Sequence, residues 1–156
     1  MPHAPSPADC HPLVVDDDAD YVFLLKRGLE RAGVPKLQIA HAADGEAAVR
    51  LLAARPKPPS FVVLDHHMPG RTGLQVLEWM RGAGPLRALP VFMLTSANEP
   101  ALVERAFQLG VGAYFIKPVQ LRELEEILGR MMGHWMGVAS PGVPAGSLTP
   151  ERPWAS

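Results

Sequence analysis

The stretch Phe61-Val62-Val63-Leu64-Asp65-His66-His67-Met68-Pro69-Gly70 decides the fold. Four apolar residues run straight into a carboxylate. Val62 and Val63 are β-branched, and the run is bounded by Pro58-Pro59 before it and Pro69-Gly70 after it. A run this short reads as a strand buried on both faces, as in a parallel sheet. Asp65 then falls at the end of that strand. Open parallel sheets bind ligands beyond the carboxyl ends of their strands, so an acid there is a candidate site residue. Taken alone, Asp65 also reads as a plain turn or helix-capping aspartate.

The same pattern recurs on both sides. Leu13-Val14-Val15 ends in Asp16-Asp17-Asp18, Val91-Phe92-Met93-Leu94 ends in Thr95-Ser96, and Ala113-Tyr114-Phe115-Ile116 ends in Lys117-Pro118. Leu37-Gln38-Ile39-Ala40 reads as a weaker strand. Between these runs the apolar residues recur at helical spacing. Asp18 is placed to cap a first helix carrying Val22, Leu25, Leu29 and Ala32, and Gly33 to end it. Asp44 caps a second helix that turns Ala48, Leu51 and Leu52 inward. Thr72 caps a third with Leu74, Val76, Leu77 and Met80. A fourth starts at Asn98 or Glu99 and buries Leu102, Ala106 and Leu109. The last runs from about Gln120 to Met136, with Leu121, Leu124, Leu128, Met131 and Trp135 on one face. Five strands alternating with five helices predict an α/β fold: a doubly wound parallel sheet with right-handed crossovers and helices on both faces.

A chain of 156 residues with 47% apolar content supports one domain with short tails. We expect a flexible arm over 1–12, the domain over 13–136 and a disordered tail over 137–156. The net charge of −1 supplies no field for nucleic acid or an anionic membrane, so neither DNA nor membrane is an expected partner. No apolar run approaches a membrane span, and the N-terminus lacks a signal-peptide pattern. The single cysteine, Cys10, excludes a disulfide framework. A cytoplasmic location is expected.

In a parallel sheet all strand ends meet at one edge. Asp16, Asp17, Asp65, Thr95 and Lys117 therefore gather there. Three carboxylates together repel by roughly 1–4 kcal/mol per close pair in a watery site, so a counter-charge is needed. Oxygen ligands and few protein groups suit Mg²⁺ better than Ca²⁺. With a hydroxyl and an ammonium beside them, the set has the composition of a phosphoryl-transfer site. Each member also has a plain reading: acids capping a helix, a turn threonine, a solvated lysine.

The motifs Val14-Val15-Asp16-Asp17, Leu64-Asp65 with Met68-Pro69-Gly70 and Gly73, Leu94-Thr95-Ser96 and Lys117-Pro118 resemble those of the CheY-like receiver domain of two-component response regulators. The resemblance implies a flavodoxin-like (βα)5 fold with strand order 2-1-3-4-5. It implies that Asp65 accepts a phosphoryl group from a phosphohistidine on a sensor histidine kinase. Asp17 would ligate Mg²⁺ directly, Asp16 mainly through water, and Asp65 and the backbone carbonyl of His67 would complete the set. Lys117 would pair with the phosphoryl oxygens, Thr95 would move to bind them, and Tyr114 would change rotamer as a switch. Such a receiver is not a conventional enzyme, but it catalyses its own phosphorylation and dephosphorylation. The narrower resemblance is to single-domain receivers that serve phytochromes, whose output passes through protein contacts.

Two features depart from the family pattern. His66 and His67 stand where aliphatic or amide residues are more usual. Histidine is the side chain that can change charge near neutral pH, so His67 leads us to expect pH-dependent phosphorylation and hydrolysis. Met132, Trp135 and Met136 spread apolar surface around the end of the last helix. This suggests either a wide core face or a homodimer through that helix and the fifth strand. Two other readings compete. One is a haloacid-dehalogenase-type phosphatase, whose Asp-x-Asp signature Asp16-Asp17-Asp18 formally satisfies. The other is a non-cycling receiver that acts as a docking module.

Overall fold

The computed structural model describes residues 5–137. Five strands form one sheet in the order β2-β1-β3-β4-β5: β1 Leu13–Val15, β2 Ala40–Ala42, β3 Val62–Leu64, β4 Val91–Thr95 and β5 Ala113–Ile116. All four pairings are parallel, with Val15 level with Ala42 and Leu64, Leu64 level with Met93, and Thr95 level with Ile116. The helices are α1 Ala19–Arg31, α2 Gly45–Ala54, α3 Gly73–Arg81, α4 Pro100–Gln108 and α5 Leu121–Trp135. This is the parallel α/β sheet expected from the strand-and-helix alternation, in the flavodoxin-like strand order that the resemblance implies.

Alternate residues along each strand point to opposite faces, which divides the core in two. Leu13, Val15, Val62, Leu64, Val91, Met93 and Tyr114 pack with α2, α3 and α4. Val14, Val63, Phe92, Leu94 and Phe115 pack with α1 and α5. Because helices cover both faces, β1, β3 and β4 are buried along their whole length. The α1–α5 contact is close. A Cβ on Gly28 would collide with Leu128 Cδ1.

The helix caps follow the sequence. Asp18 accepts from the backbone N–H groups of Asp20 and Tyr21, and Asp44 from that of Ala47. Thr72 and Gln75 form a reciprocal capping box at the start of α3.

Four expectations need correction. The second strand is Ala40–Ala42, not 37–40; Lys36–Gln38 is a 3-10 turn that leaves Leu37 exposed. In α4 the buried pair is Val103 and Ala106, while Leu102 and Leu109 are only partly buried. In α5 Leu121 is exposed and Met132 is buried, with Trp135 and Met136 packed on the same core. The arm is packed in part: Pro7–Asp9 is a 3-10 turn with Ala8 and Asp9 exposed, and Cys10 is fully buried. Gln38 Nε2 donates to the carbonyls of Ala8 and Cys10, at 2.9 and 2.8 Å, and Cys10 Sγ lies 3.8 Å from Met132 Sδ. That contact explains why Met132 turns inward, since the arm adds a layer over the end of α5. Residues 1–4 of the expected arm and 138–156 of the expected tail lie outside the described residues. Among the described residues no helix is long and apolar enough to cross a membrane.

Candidate phosphoryl-acceptor site

The carboxyl edge of the sheet gathers the acids as expected. Ligand oxygens of Asp16, Asp17 and Asp65 lie within 4.8 Å of one another. Asp16 and Asp65 are buried, 2% and 4% exposed, whereas Asp17 is exposed. The three consecutive acids are placed differently. Asp16 Oδ1 accepts from the backbone N–H of Asp18 at 2.9 Å, and its Oδ2 lies 2.9 Å from Lys117 Nζ. Asp17 has its carboxylate in the cluster. Asp18 is committed to the start of α1. That commitment removes it from an Asp-x-Asp pair of the phosphatase type.

Lys117 follows β5 directly, and its backbone N–H donates to Thr95 O at 3.0 Å. Its ammonium bridges two acids, 2.9 Å from Asp16 Oδ2 and 3.2 Å from Asp65 Oδ2. Burial pulls this ammonium's pKa down, but the ion pairs outweigh it and hold it above the usual lysine value. Burial raises the Asp16 pKa against the opposing pull of the Asp18 N–H and Lys117. Asp65 Oδ1 is buried with no hydrogen-bond partner. An orphaned carboxylate oxygen beside two other acids is the vacancy that a hard cation or an electrophile fills. The donor set is all oxygen, so these residues fit a Mg²⁺-class ion.

The loop after β3 is fixed from below. Gly73 N donates to His66 O at 3.0 Å, and Leu74 N to His66 Nδ1 at 3.4 Å. The ring therefore accepts through Nδ1, and burial, followed by the neighbouring His67, lowers its pKa. A Cβ at position 73 would collide with the Asp65 carbonyl oxygen, so this close approach needs glycine. His67 is exposed, with its ring 5.2 Å from that of His66 in an edge-to-face arrangement.

Thr95 and Tyr114, both buried, meet at one residue. Thr95 Oγ1 accepts from the backbone N–H of Ala97 at 3.3 Å, and Tyr114 OH donates to the Ala97 carbonyl at 2.6 Å. Burial, then Glu99 and Asp65, raises the Tyr114 pKa and keeps the phenol protonated.

Two residues of the site were not found by sequence reasoning. Tyr21 places its ring 4.6 Å from Lys117 Nζ. His41 Nε2 lies 3.0 Å from the Asp16 carbonyl. Misplacing β2 hid His41, and an aromatic one helical turn past the acid run was the only signal for Tyr21.

The structure thus presents a doubly wound parallel sheet with an acid cluster, a lysine and a threonine at its carboxyl edge. Residues 13–129 match the family model of the response regulator receiver domain, and the chain belongs to that family. It is 31% identical to the probable methanogenesis regulatory protein FilR2 of Methanothrix harundinacea, over 83% of this chain and 86% of that one. The bacteriophytochrome response regulator AtBRR superposes with a TM-score of 0.64 at 30% identity, over 86% of this chain and 97% of that one. The Mn²⁺-bound form of response regulator Rcp1 superposes with a TM-score of 0.70 at 22% identity, over 83% and 96% of the two chains. Some relatives are longer: the chain spans 66% of the two-component response regulator ORR4 of Oryza sativa.

Proposed function

We propose that the protein is a cytoplasmic two-component response regulator whose receiver domain, residues 13–136, takes a phosphoryl group on Asp65 from the phosphohistidine of a sensor histidine kinase. The observation that carries this is the buried, unpartnered Asp65 Oδ1, whose sister oxygen is held by Lys117. One carboxylate oxygen is thus oriented and the other is free to attack. Attack by Oδ1 on phosphorus forms the acyl phosphate as the P–N bond breaks, and the imidazole leaves with a proton. Lys117 then meets the charge of the phosphoryl oxygens.

Asp16, Asp17, Asp65 and the carbonyl of His67 would hold Mg²⁺, which when bound supplies positive charge against the phosphoryl oxygens. The Mn²⁺-bound state of Rcp1 supports a divalent ion in this family. Thr95 supplies the remaining hydroxyl. Turning it toward a phosphoryl group gives up its contact with Ala97 N, on the residue whose carbonyl holds Tyr114. A change at Asp65 thereby reaches the loop before α4. Relatives named for phytochromes support a kinase of that class. A non-cycling docking role is disfavoured by the complete acid set. A homodimer through α5 and β5 would have a smaller apolar surface than the sequence suggests, because Met132 is buried and Trp135 and Met136 pack partly on the core.

Intact mass after exposure to acetyl phosphate tests the reading. Wild type should gain one phosphoryl group in Mg²⁺ and none in EDTA, and Asp65→Asn should gain none in either. Equal labelling of wild type and variant would overturn it.

A further inference from the structure

A lysine side chain has four rotatable bonds and by default keeps its ammonium in water. Lys117 does not: its side chain is 15% exposed. Two carboxylates draw it inward, but they do not cover it. A further wall is Tyr21, whose ring centroid lies 4.6 Å from Nζ. A cation held over an aromatic face is attracted by the ring quadrupole, more strongly where water is excluded.

The placement of that ring is specific. Tyr21 is the third residue of α1, and its backbone N–H donates to Asp18 Oδ1 at 3.2 Å, so the cap that starts the helix also sets the ring. The ring packs against the core shared by α1 and α5. Its hydroxyl is buried and has no hydrogen-bond partner. An unpaired buried hydroxyl adds no stability, so no polar contact explains why the ring sits there. Burial, then Asp16, Asp65 and Asp18, raises the phenol's pKa. The ring thus stays neutral and leaves the full charge of Lys117 to the acids.

We propose that Tyr21 is a positioning residue: its aromatic face holds the Lys117 ammonium on Asp16 and Asp65 and keeps water from it. In the resting protein this fixes the ammonium on Oδ2 of the carboxylate whose Oδ1 is to take the phosphoryl group. The kinetic consequence rests on the receiver reading above; the geometric one does not.

Both are measured on the full chain labelled with ¹⁵N-lysine. In wild type the Lys117 ammonium protons should exchange slowly with water and give a resolved signal, identified by its loss in Lys117→Met. Tyr21→Leu, and Tyr21→Met as a second non-aromatic replacement, should lose that signal and take up phosphoryl from acetyl phosphate about ten-fold more slowly. Tyr21→Phe should restore both to within about two-fold of wild type. Melting and Mg²⁺ titration check that each variant is folded and keeps its acid cluster. If either folded non-aromatic variant keeps the signal and the rate, the inference is wrong. If Tyr21→Phe fails as Tyr21→Leu does, the hydroxyl acts and not the ring, which also overturns it. Should wild type take up no phosphoryl at all, the receiver reading fails, and the exchange measurement alone still decides the position of Lys117.

Discussion

Two partly buried cations sit at opposite edges of the sheet, and they are satisfied in opposite ways. At the carboxyl edge Lys117 meets two carboxylates, and around it Asp65 Oδ1 and Tyr21 OH are left unpaired. At the amino edge Arg81, at the end of α3, donates only to carbonyls. Its Nε reaches Leu109 O at 2.7 Å, Nη1 reaches the carbonyls of Leu86, Arg87 and Leu89, and Nη2 reaches Gly110 O at 3.2 Å. Those oxygens include the terminal carbonyls after α4, where a cation is favoured and no backbone donor is left to serve them. Burial lowers the Arg81 pKa, yet a guanidinium starts so high that it stays charged. Arg81 is a closed clamp. Lys117 belongs to a set with more negative charge than it can neutralise. The lesson is that burial of charge does not mark a site; unpaired partners around the buried charge do.

Breaking the clamp should have the larger effect on stability. Arg81→Leu takes a donor from five carbonyls, of which Leu86 O keeps the backbone N–H of Leu89, and it should cost about 2–3 kcal/mol in urea denaturation. The loss should be the same with Mg²⁺ and with EDTA, because the acid cluster lies at the opposite edge of the sheet. A loss that Mg²⁺ repairs would mean the two edges are not independent.

The opposite sign is expected at the other edge. Asp17 shares the acid cluster, and no ion pair with Lys117 is lost by neutralising it. Asp17→Asn should therefore relieve repulsion and stabilise the protein by roughly 0.5–1 kcal/mol in EDTA. Mg²⁺ should stabilise wild type, since an ion that binds only the folded state shifts the equilibrium toward it. It should stabilise Asp17→Asn much less, which reverses the ranking of the two proteins. Denaturation midpoints across a Mg²⁺ titration read both effects. A destabilised variant in EDTA would show that the acids are mutually compensated without a cation.

The two edges were unequally legible in the sequence. Asp16, Asp17, Asp65, Thr95 and Lys117 each end a short apolar run, and parallel topology alone brings such ends together. Arg81 was invisible, because its partners are backbone carbonyls that carry no side-chain signature. The second strand was misplaced for a related reason. Ala40–Ala42 is an edge strand paired only with β1, so it lacks the apolar run of a central strand, while Leu37 mimics a core residue from an exposed turn. The helical period of α5 marked Leu124, Leu128 and Met131 correctly. It could not show that Met132 is covered, because the cover is Cys10, on the arm before β1 and far away in sequence. Tyr21 and His41 failed for the same reason: a ring over an ammonium and an imidazole on a carbonyl exist only after the fold has formed.

In this mechanism the unpaired oxygen of Asp65 is the nucleophile. Borohydride reduces an acyl phosphate to an alcohol, so a phosphorylated aspartate becomes homoserine and is marked in the chain. Wild type treated with acetyl phosphate and Mg²⁺, reduced, digested and sequenced by tandem mass spectrometry should show homoserine at position 65 and aspartate at positions 16, 17 and 18. Homoserine at 16, 17 or 18, or a phosphoryl adduct that borohydride does not reduce, would contradict it.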